Sequence, residues 1–427
     1  MLDPGLIATE NQRLDADHGR DYEHLAHQLQ RRAMDVEGLV AQVMAFEVAV
    51  PSWALGTGGT RFGRFAGPGE PRDVFEKMED IALVHQLTGA APCVSLHIPW
   101  DEPDDPAELR EHAATLNLGF DAVNSNTFQD QPGQAYSYKF GSLSHTDAVV
   151  RAQAVEHNLH VVEVGRALGS EAITIWLADG SNYPGQMHLR KSFERVLDGL
   201  KQVYAALPLD WRLFTEHKPY EPAFYATVVQ DWGSSLLLAQ HLGPQAACLV
   251  DLGHHLPNTN VELVVARLIG AGKLGGFHFN DSKYGDDDLT TGSIHPYQLF
   301  LVFSELVDAA VEGIEGFDSA YMIDQSHNLK DPIEALLQTV EALQRAYARA
   351  LLVDRAALAY HQDQNDVLMA ERTMQRAYET DVAPLVAEAR RRLGGALDPV
   401  TMFRTSAYRA AKADERTAAV YVPPRSL

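Results

Sequence analysis

Short runs of β-branched and apolar residues recur along the chain, and each run ends in polar or aromatic residues. Between the runs lie stretches whose apolar residues have the spacing of an amphipathic helix. This repetition predicts strands that alternate with helices. The pattern predicts eight strands, over residues 46–53, 94–98, 120–124, 172–177, 212–215, 248–252, 275–279 and 320–323.

The segment between the fourth and fifth strands shows the helical pattern most clearly. Its apolar residues form one stripe from Leu189 to Leu207, and Pro208 ends it. Eight strands alternating with helices fit a (β/α)8 TIM barrel, whose usual size is about 250 residues. A doubly wound open sheet is the alternative arrangement of the same elements. We expect an α/β protein whose catalytic barrel spans residues 46–345.

Helical patterns flank the predicted barrel on both sides. Apolar positions at helical spacing run from Tyr22 to Val43 and return between Ile333 and Tyr347. We expect a helical N-terminal extension over residues 1–45 and a helical C-terminal extension over residues 346–427, with a loose tail near its end. These ends either pack against the barrel or form an arm for an oligomer.

The composition narrows the classes of function. The 427 residues include 35 Lys and Arg against 58 Asp and Glu, which gives a net charge of -23. Such a field repels phosphate backbones, so we expect a small molecule or a metal cation as partner, and no nucleic acid. We expect no membrane association, because no apolar run has the length of a membrane span and the polar start lacks a signal-peptide pattern.

The chain has 2 cysteines, Cys93 and Cys248. They rule out a disulfide framework and a four-cysteine zinc site, and reduced thiols suit the cytoplasm. Gly270, Gly272 and Gly275 match the spacing of a dinucleotide-binding motif, but they follow a predicted helix and precede a strand. That order is the reverse of what such a site requires, so we reject it.

Acidic and imidazole side chains stand where four successive predicted strands end. Glu216 ends the fifth strand, Asp251 the sixth, His278 the seventh and Asp324 the eighth. In a barrel the carboxyl ends of all strands form one mouth, so these four side chains converge on one volume. A lone acid at a strand end is often a cap or turn former, but four in succession favour a metal site.

A second set of polar residues follows in the next loops. His254 lies three residues after Asp251, while Asp286 and Asp288 lie in the loop after the seventh strand. The acidic run that contains them is either a solvated charge run or, because of its position, part of a second cation site with a shared carboxylate as one option. Seven ligands imply two metals. Oxygen-rich ligation without thiolate suits Mn²⁺, Mg²⁺, Co²⁺ or Zn²⁺.

Further side chains at strand ends are candidates for substrate contacts. Lys218 follows Glu216 by two residues, so both face the same side of a strand. It holds a substrate oxygen or forms a structural ion pair. His97 hydrogen-bonds a sugar ring oxygen or is a core histidine. An apolar wall for the C–H face of a sugar, with core packing as the alternative, is predicted from Trp100, Phe128 and Trp176.

The order of these residues, Glu-x-Lys, Asp-x-x-His, His, Asp-x-Asp and Asp, resembles the metal scheme of the xylose isomerase-like barrels. Longer strings resemble the bacterial L-rhamnose isomerases of the broad-specificity type and cover nearly the whole chain. These strings are VPSWALGTGGTRF, VSLHIPWD, GFDAVNSNTF, WLADGSNYPGQ, FTEHKPYEPAFYATVVQDWG, CLVDLGHHLPNTN, GGFHFNDSKYGDDDL, MIDQSHN and LLVDRAAL.

This resemblance implies a homotetrameric, Mn²⁺-dependent aldose–ketose isomerase that interconverts L-rhamnose and L-rhamnulose and also D-allose and D-psicose. It implies a first, structural metal on the sugar oxygens and a second, catalytic metal that binds a water or hydroxide. The implied ligands are Glu216, Asp251, His278 and Asp324 for the first metal, and His254, Asp286 and Asp288 for the second. The resemblance also places Phe62, in the loop after the first strand, at a neighbouring subunit's active site.

Two routes for this reaction stay open. Either the C2 hydrogen migrates as a hydride while two cations polarise both oxygens, or a carboxylate abstracts the C2 proton. We expect Asp324 and the water on the second metal, which His254 helps to hold, to move protons, and Lys218 to stabilise an oxygen. The alternatives are a sugar epimerase on the same barrel, a non-catalytic sugar-binding protein, and a metal-dependent endonuclease, which the net charge disfavours.

Overall fold

The computed structural model describes residues 1–56, 65, 67–222, 224–326 and 329–416. The strands of this part of the chain are short, and all their pairings are parallel. They are β1 (Val50–Pro51), β2 (Cys93–Ser95), β3 (His97–Ile98), β4 (Gly119–Phe120), β5 (Val123–Ser125), β6 (Ala172–Leu177), β7 (Arg212–His217), β8 (Ala246–Asp251), β9 (Leu274–Phe279) and β10 (Ala320–Ile323).

These strands form a closed barrel. They pair in the orders β1-β2-β4 and β10-β9-β8-β7-β6-β5-β3, and the chain runs almost directly from β2 into β3 and from β4 into β5. The circle closes at Ala49, whose amide donates to the Tyr321 carbonyl at 2.8 Å and whose carbonyl accepts from the Ile323 amide at 3.0 Å. The predicted (β/α)8 barrel is therefore confirmed, and the open sheet is excluded.

Helices follow the strands and also precede and extend the barrel. They are α1 (Pro4–Gln30), α2 (Val36–Met44), α3 (Val74–Thr88), α4 (Pro106–Thr115), α5 (Ala148–Leu168), α6 (Leu189–Ala205), α7 (Trp232–Leu242), α8 (Val261–Gly270), α9 (Pro296–Glu312), α10 (Pro332–Leu351), α11 (Arg355–Asp363), α12 (Val367–Tyr378), α13 (Ala383–Arg392), α14 (Pro399–Thr405) and α15 (Tyr408–Glu415). None of these described helices combines the length and apolar character that a membrane crossing requires.

Aspartates start many of these helices, and they account for part of the acidic excess. In each case the side chain accepts a hydrogen bond from a backbone N–H of the first turn, which stabilises a helix by about 1 kcal/mol. The residues in this role are Asp3, Asp35, Asp73, Asp105, Asp147, Asp231, Asp331, Asp354, Asp366 and Asp398. The net charge is thus partly a consequence of helix capping.

The first strand is shorter than the pattern predicts. Only Val50–Pro51 is strand, and Ser52–Ala54 turns into a 3-10 helix whose residues are all buried. Pro51 cannot donate to a strand ladder, which favours an end to pairing at this point. The turn places Trp53 at the barrel mouth instead of on a barrel strand.

The barrel interior below the mouth is filled by a small apolar group that includes Phe214 and Ala247. Gly275 lies against this group, and a Cβ there would stand 2.6 Å from Phe214 Cδ1 and 2.9 Å from Ala247 Cβ. The third glycine of the rejected motif therefore allows close packing inside the barrel, and the helix-to-strand order found around Gly272 agrees with that rejection.

The helical ends pack on each other and on the barrel's outer helices. Leu29 and Val40 of the first two helices share one core with Leu385 of α13 and with Phe300 and Ala348 of α9 and α10. The boundaries at residues 45 and 345 stay predictions, and α10 crosses the second one. The predicted loose tail around Pro423 and Pro424 lies outside the described residues.

Candidate metal centre

The mouth of the barrel gathers the four strand-end residues predicted for the first cation site. Glu216 lies in β7, Asp251 ends β8, His278 lies in β9 and Asp324 follows β10. Their ligand atoms all lie within 4.8 Å of one another. The parallel register explains this convergence, because Asp251 pairs with His278 across β8 and β9, and His278 pairs with Met322 of β10.

His278 is the centre of this first group. Its Nδ1 lies 3.0 Å from Glu216 Oε1, 3.4 Å from Asp324 Oδ2 and 3.9 Å from Asp251 Oδ2. Glu216, Asp251 and His278 are buried, whereas Asp324 is partly exposed. Three carboxylates therefore face one imidazole nitrogen in a place with little water.

A second group lies beside the first and shares Asp251 with it. The ligand atoms of Asp251, His254 and Asp286 also lie within 4.8 Å of one another. His254 Nε2 is 3.2 Å from Asp286 Oδ2, and its Nδ1 is 3.2 Å from Glu216 Oε1. Asp288 is buried, has a φ of 46°, and lines the same cavity as His254 and Glu216. His254, Asp286 and Asp288, the residues predicted for a second cation site, thus all lie in the mouth. Asp251 forms one ligand group with the first two of them.

The pKa values show how strongly these groups act on one another. Burial and the nearby carboxylates of Asp286 and Asp324 outweigh the opposing effect of the His254 imidazole and raise the pKa of Asp251 to about 7. Burial opposes a charge on His254, but Asp251 and Asp286 outweigh it and raise the pKa of this imidazole to about 10. Glu216 is also buried, yet the adjacent imidazoles of His278 and His254 hold its pKa well below the usual range.

This donor set fits divalent cations. Buried carboxylates are costly unless a positive charge faces them, and here acidic oxygens outnumber the cationic groups around them. Carboxylate oxygens with imidazole nitrogens and no thiolate are the ligands that hard or borderline divalent metals prefer. Both groups of residues could therefore bind a metal ion.

Lys218 lies at the second group. Its ammonium forms an ion pair with Asp286, lies 3.8 Å from Glu221 Oε2, and stands 5.1 Å from the centre of the Trp176 ring. The Trp176 ring is in turn stacked on His254, with centroids 5.6 Å apart and planes 9° apart. The structure therefore shows the ion pair predicted as one option for Lys218, and its contact with a substrate oxygen stays a prediction.

The predicted aromatic side chains form a continuous wall over the metal groups. His97 stacks on Trp100 with ring centroids 3.9 Å apart, and Phe128 meets Trp176 edge to face at 4.3 Å. All four line the same cavity as Glu216, His278 and Asp324. Burial lowers the pKa of His97 to about 3, so this imidazole is neutral and offers a hydrogen bond instead of a charge. Phe62 lies outside the described residues.

Sequence reasoning missed Trp53 as a residue of this site. Its indole Nε1 donates a hydrogen bond to Asp324 Oδ1 at 2.8 Å, and its ring meets His97 edge to face at 5.5 Å. The signal that could have identified it is its position, because Trp53 follows the first strand as the other site residues follow theirs. Asn280, two residues after His278, was missed in the same way; its amide donates to both oxygens of Asp251.

Comparisons with known proteins place this geometry among sugar-converting enzymes. A probable sugar isomerase of Rhizobium meliloti is 61% identical over 419 residues, which are 98% of this chain and 97% of the relative. A xylose isomerase of Thermus thermophilus is 28% identical over 269 residues, 58% of this chain and 67% of the relative. No protein-family model matches the chain.

Among solved structures, an L-ribulose 3-epimerase matches with a TM-score of 0.53 and 16% sequence identity, covering 72% of this chain and 98% of that chain. At this identity the likeness supports the barrel fold and says nothing of the substrate.

Proposed function

This chain belongs to the sugar isomerase family within the xylose isomerase-like superfamily, and from this premise we propose that it interconverts L-rhamnose and L-rhamnulose. We also propose that it converts D-allose and D-psicose. The observation that carries the proposal is the pair of ligand groups that share Asp251 beneath an aromatic wall. An apolar wall suits a 6-deoxy sugar, because C6 of L-rhamnose is a methyl group.

The proposed cofactors are two divalent cations per subunit, with Mn²⁺ preferred. The first would be held by Glu216, Asp251, His278 and Asp324, and the second by Asp251, His254 and Asp286 with Asp288 nearby. Divalent cations at these positions would supply Lewis-acid polarisation of the sugar oxygens on C1 and C2. The reaction needs no redox cofactor, because a carbonyl moves between adjacent carbons with no net oxidation.

Asp324 is the residue best placed to hold a proton during the reaction. It is the partly exposed carboxylate of the first group, and the Trp53 indole fixes its Oδ1. A fixed carboxylate in the cavity wall has the orientation that general acid–base catalysis requires. We expect Asp324→Asn to lower kcat at least 100-fold in L-rhamnulose formation, whereas near-normal turnover would remove Asp324 from this role.

Two further residues would position the sugar. Lys218, held against Asp286 and over the Trp176 ring, would donate to a sugar oxygen beside the second group. His97, neutral and stacked on Trp100, would hydrogen-bond the ring oxygen. The aromatic faces of Trp100, Phe128 and Trp176 would exclude water from the reacting carbons.

The test begins with protein stripped by a chelator and restored with Mn²⁺. Ketose formation is followed from L-rhamnose, L-mannose, D-allose and D-xylose, with a sample kept in chelator as control. The proposal expects metal-dependent L-rhamnulose as the fastest product. If no aldose yields a ketose while two cations stay bound, the isomerase proposal is wrong. Conversion of ketoses into their C3 epimers would then identify the epimerase alternative on the same barrel.

We further propose a cytoplasmic homotetramer in which the loop around Phe62 reaches a neighbouring subunit's site. The reduced state of Cys93 and Cys248 is consistent with the cytoplasm. Analytical ultracentrifugation tests the tetramer. If Phe62 completes a neighbour's site, mixing inactive Asp324→Asn subunits with inactive Phe62→Ala subunits restores part of the activity. Absence of restored activity in mixed tetramers would contradict the shared site.

A further inference from the structure

Asn280 lies behind the carboxylate that the two metal groups share. It comes one residue after β9 and two after His278, so the same strand presents an imidazole and an amide to the barrel mouth. The amide Nδ2 is 3.0 Å from Asp251 Oδ1 and 3.1 Å from Asp251 Oδ2. Asn280 is 1% exposed, so no water competes for these hydrogen bonds.

A second donor holds the same carboxylate. The backbone amide of Gly253 donates to Asp251 Oδ1 at 2.7 Å. A Cβ at Gly253 would stand 2.7 Å from Asp286 Oδ1, 3.2 Å from Asn280 Oδ1 and 3.3 Å from Asp251 Oδ1. The absence of a side chain at Gly253 therefore leaves room for the Asp286 and Asn280 oxygens beside the shared carboxylate.

These contacts affect cation binding, because the orientation they fix lets Asp251 serve both groups. One oxygen lies 3.9 Å from His278 Nδ1 of the first group, and the other lies 3.9 Å from His254 Nε2 of the second. A partial rotation of the carboxylate about its Cβ–Cγ bond would move both oxygens from these positions. Hydrogen bonds to a metal-binding carboxylate fix its orientation, and their loss commonly weakens metal binding about 10- to 100-fold.

We propose that Asn280 is a positioning residue that holds Asp251 between the two cation sites, so that it sets the affinity of both cations. Gly253 supports it by leaving room for Asp286, which belongs to the second group alone. The inference rests on the proposed two-cation function, but it concerns metal binding and not the identity of the sugar.

The test measures Mn²⁺ binding by calorimetry on chelator-stripped protein in the absence of sugar. In Asn280→Ala we expect both cations to bind about 10- to 100-fold more weakly. Asn124→Ala is the matched control, since Asn124 is also buried in the mouth but its amide donates to Ser95 Oγ at 2.8 Å and the Leu96 carbonyl at 3.2 Å. Its Mn²⁺ affinities are expected to stay within about threefold of the wild-type protein.

Gly253→Ala supplies a second, independent variant in case Asn280→Ala does not fold. Because the added Cβ displaces Asp286, we expect the second cation to be weakened more than the first. Unchanged affinities in Asn280→Ala, or equal losses in Asn280→Ala and Asn124→Ala, would overturn the proposal. If Mn²⁺ binds as expected but no aldose is converted, the proposed reaction fails while the role of Asn280 stands.

Discussion

Two clusters of charged side chains in the described part of the chain contain buried carboxylates, and different groups face those carboxylates. At the barrel mouth, the mouth cluster consists of Glu216, Asp251, His254, His278, Asp286 and Asp324, with Lys218 beside it. Under the last helix, the C-terminal cluster consists of Glu79, Asp80, Asp331, Arg409, Lys412 and Arg416. Both clusters combine acids with basic groups, so residue type alone does not distinguish them.

Geometry separates the two clusters. The Arg416 guanidinium is fully buried and donates to Asp80 Oδ1 at 2.9 Å, to Glu79 Oε2 at 2.8 Å and to the Gly69 carbonyl at 3.1 Å. Arg409 binds both oxygens of Asp331, at 2.7 and 2.9 Å. Guanidinium groups donate in a fixed planar fork, so each acid of this cluster has a cationic partner within the chain.

The mouth cluster has no guanidinium among its described contacts. Apart from the Lys218–Asp286 ion pair, its carboxylates face imidazoles and one another. Burial and the neighbouring carboxylates raise the pKa of Asp251, whereas the imidazoles of His278 and His254 lower that of Glu216. An arrangement of this kind is costly without further positive charge. The difference indicates that the C-terminal cluster holds the fold together, whereas the mouth cluster could bind metal ions.

The largest expected effect is the loss of activity in Glu216→Gln. This substitution keeps the size of the side chain but removes a charge that faces both His278 and His254. We expect L-rhamnulose formation at saturating Mn²⁺ to fall at least 1,000-fold, which corresponds to about 4 kcal/mol of transition-state stabilisation. Elemental analysis should show less than two cations per subunit. Wild-type activity in this variant would remove the mouth cluster from the mechanism.

The next effect concerns stability and belongs to the C-terminal cluster. In Arg416→Met, Asp80 stays buried without its nearest cation, so we expect the free energy of unfolding to fall by about 3 kcal/mol. Urea denaturation measures this loss. Arg404→Met is the control, because Arg404 binds Glu334 through two hydrogen bonds but is exposed, and about 0.5 kcal/mol is expected there. Similar losses in both variants would contradict the structural role of the buried cluster.

Metal addition separates the clusters directly. Mn²⁺ at 100 times the Kd of a site should raise the free energy of unfolding by about 2.7 kcal/mol for each cation bound, in the wild-type protein and equally in Arg416→Met. The gain should be lost in Asp251→Asn, because this residue belongs to both ligand groups. Thermal and urea unfolding with and without Mn²⁺ provide the comparison. A full gain in Asp251→Asn would show that the cations bind elsewhere.

The stability of metal-free protein at different pH values provides a second test of Asp251→Asn. Burial and neighbouring acids raise the pKa of Asp251 to about 7, from 3.8. The raised pKa means that the folded state disfavours the ionised form of Asp251. Metal-free protein should therefore lose stability as the pH rises from about 4 to about 7. Asn at this position cannot ionise, so metal-free Asp251→Asn at pH 8 is expected to exceed the wild-type protein by about 1 kcal/mol. A less stable variant would mean that Asp251 stabilises the fold itself.

The two regions also differ in how far sequence predicts them. The barrel and the convergence of Glu216, Asp251, His278 and Asp324 could be predicted, because parallel strands bring their carboxyl ends to one rim. The contact between Tyr408 and Asp80 joins residues 328 positions apart, and no local periodicity marks it. Trp53 and Asn280 escaped prediction because an indole or an amide that orients a carboxylate belongs to no ligand pattern. Their roles depend on side-chain directions that appear only once the barrel closes.

An effect of similar size is expected at another arginine-paired carboxylate, Glu388 in the helical ends. It accepts from Arg391 at 2.8 Å, from Arg392 at 2.7 Å and from His18 Nε2 at 3.0 Å. Burial opposes its charge, but these donors outweigh burial and lower its pKa to about 2, from 4.5. A lowered carboxyl pKa contributes stability above pH 4.5 that is lost as the pH falls towards 2.

We therefore expect the wild-type protein to exceed Glu388→Gln by about 1 kcal/mol at pH 6, after allowance for solvent screening, and this difference to vanish by about pH 2. Urea unfolding of both proteins across this range measures it. In the mouth, by contrast, removing the Asp251 charge is expected to stabilise the metal-free fold. If both substitutions changed stability in the same direction, arginine pairing would not be what distinguishes a structural carboxylate from a metal-binding one in this chain.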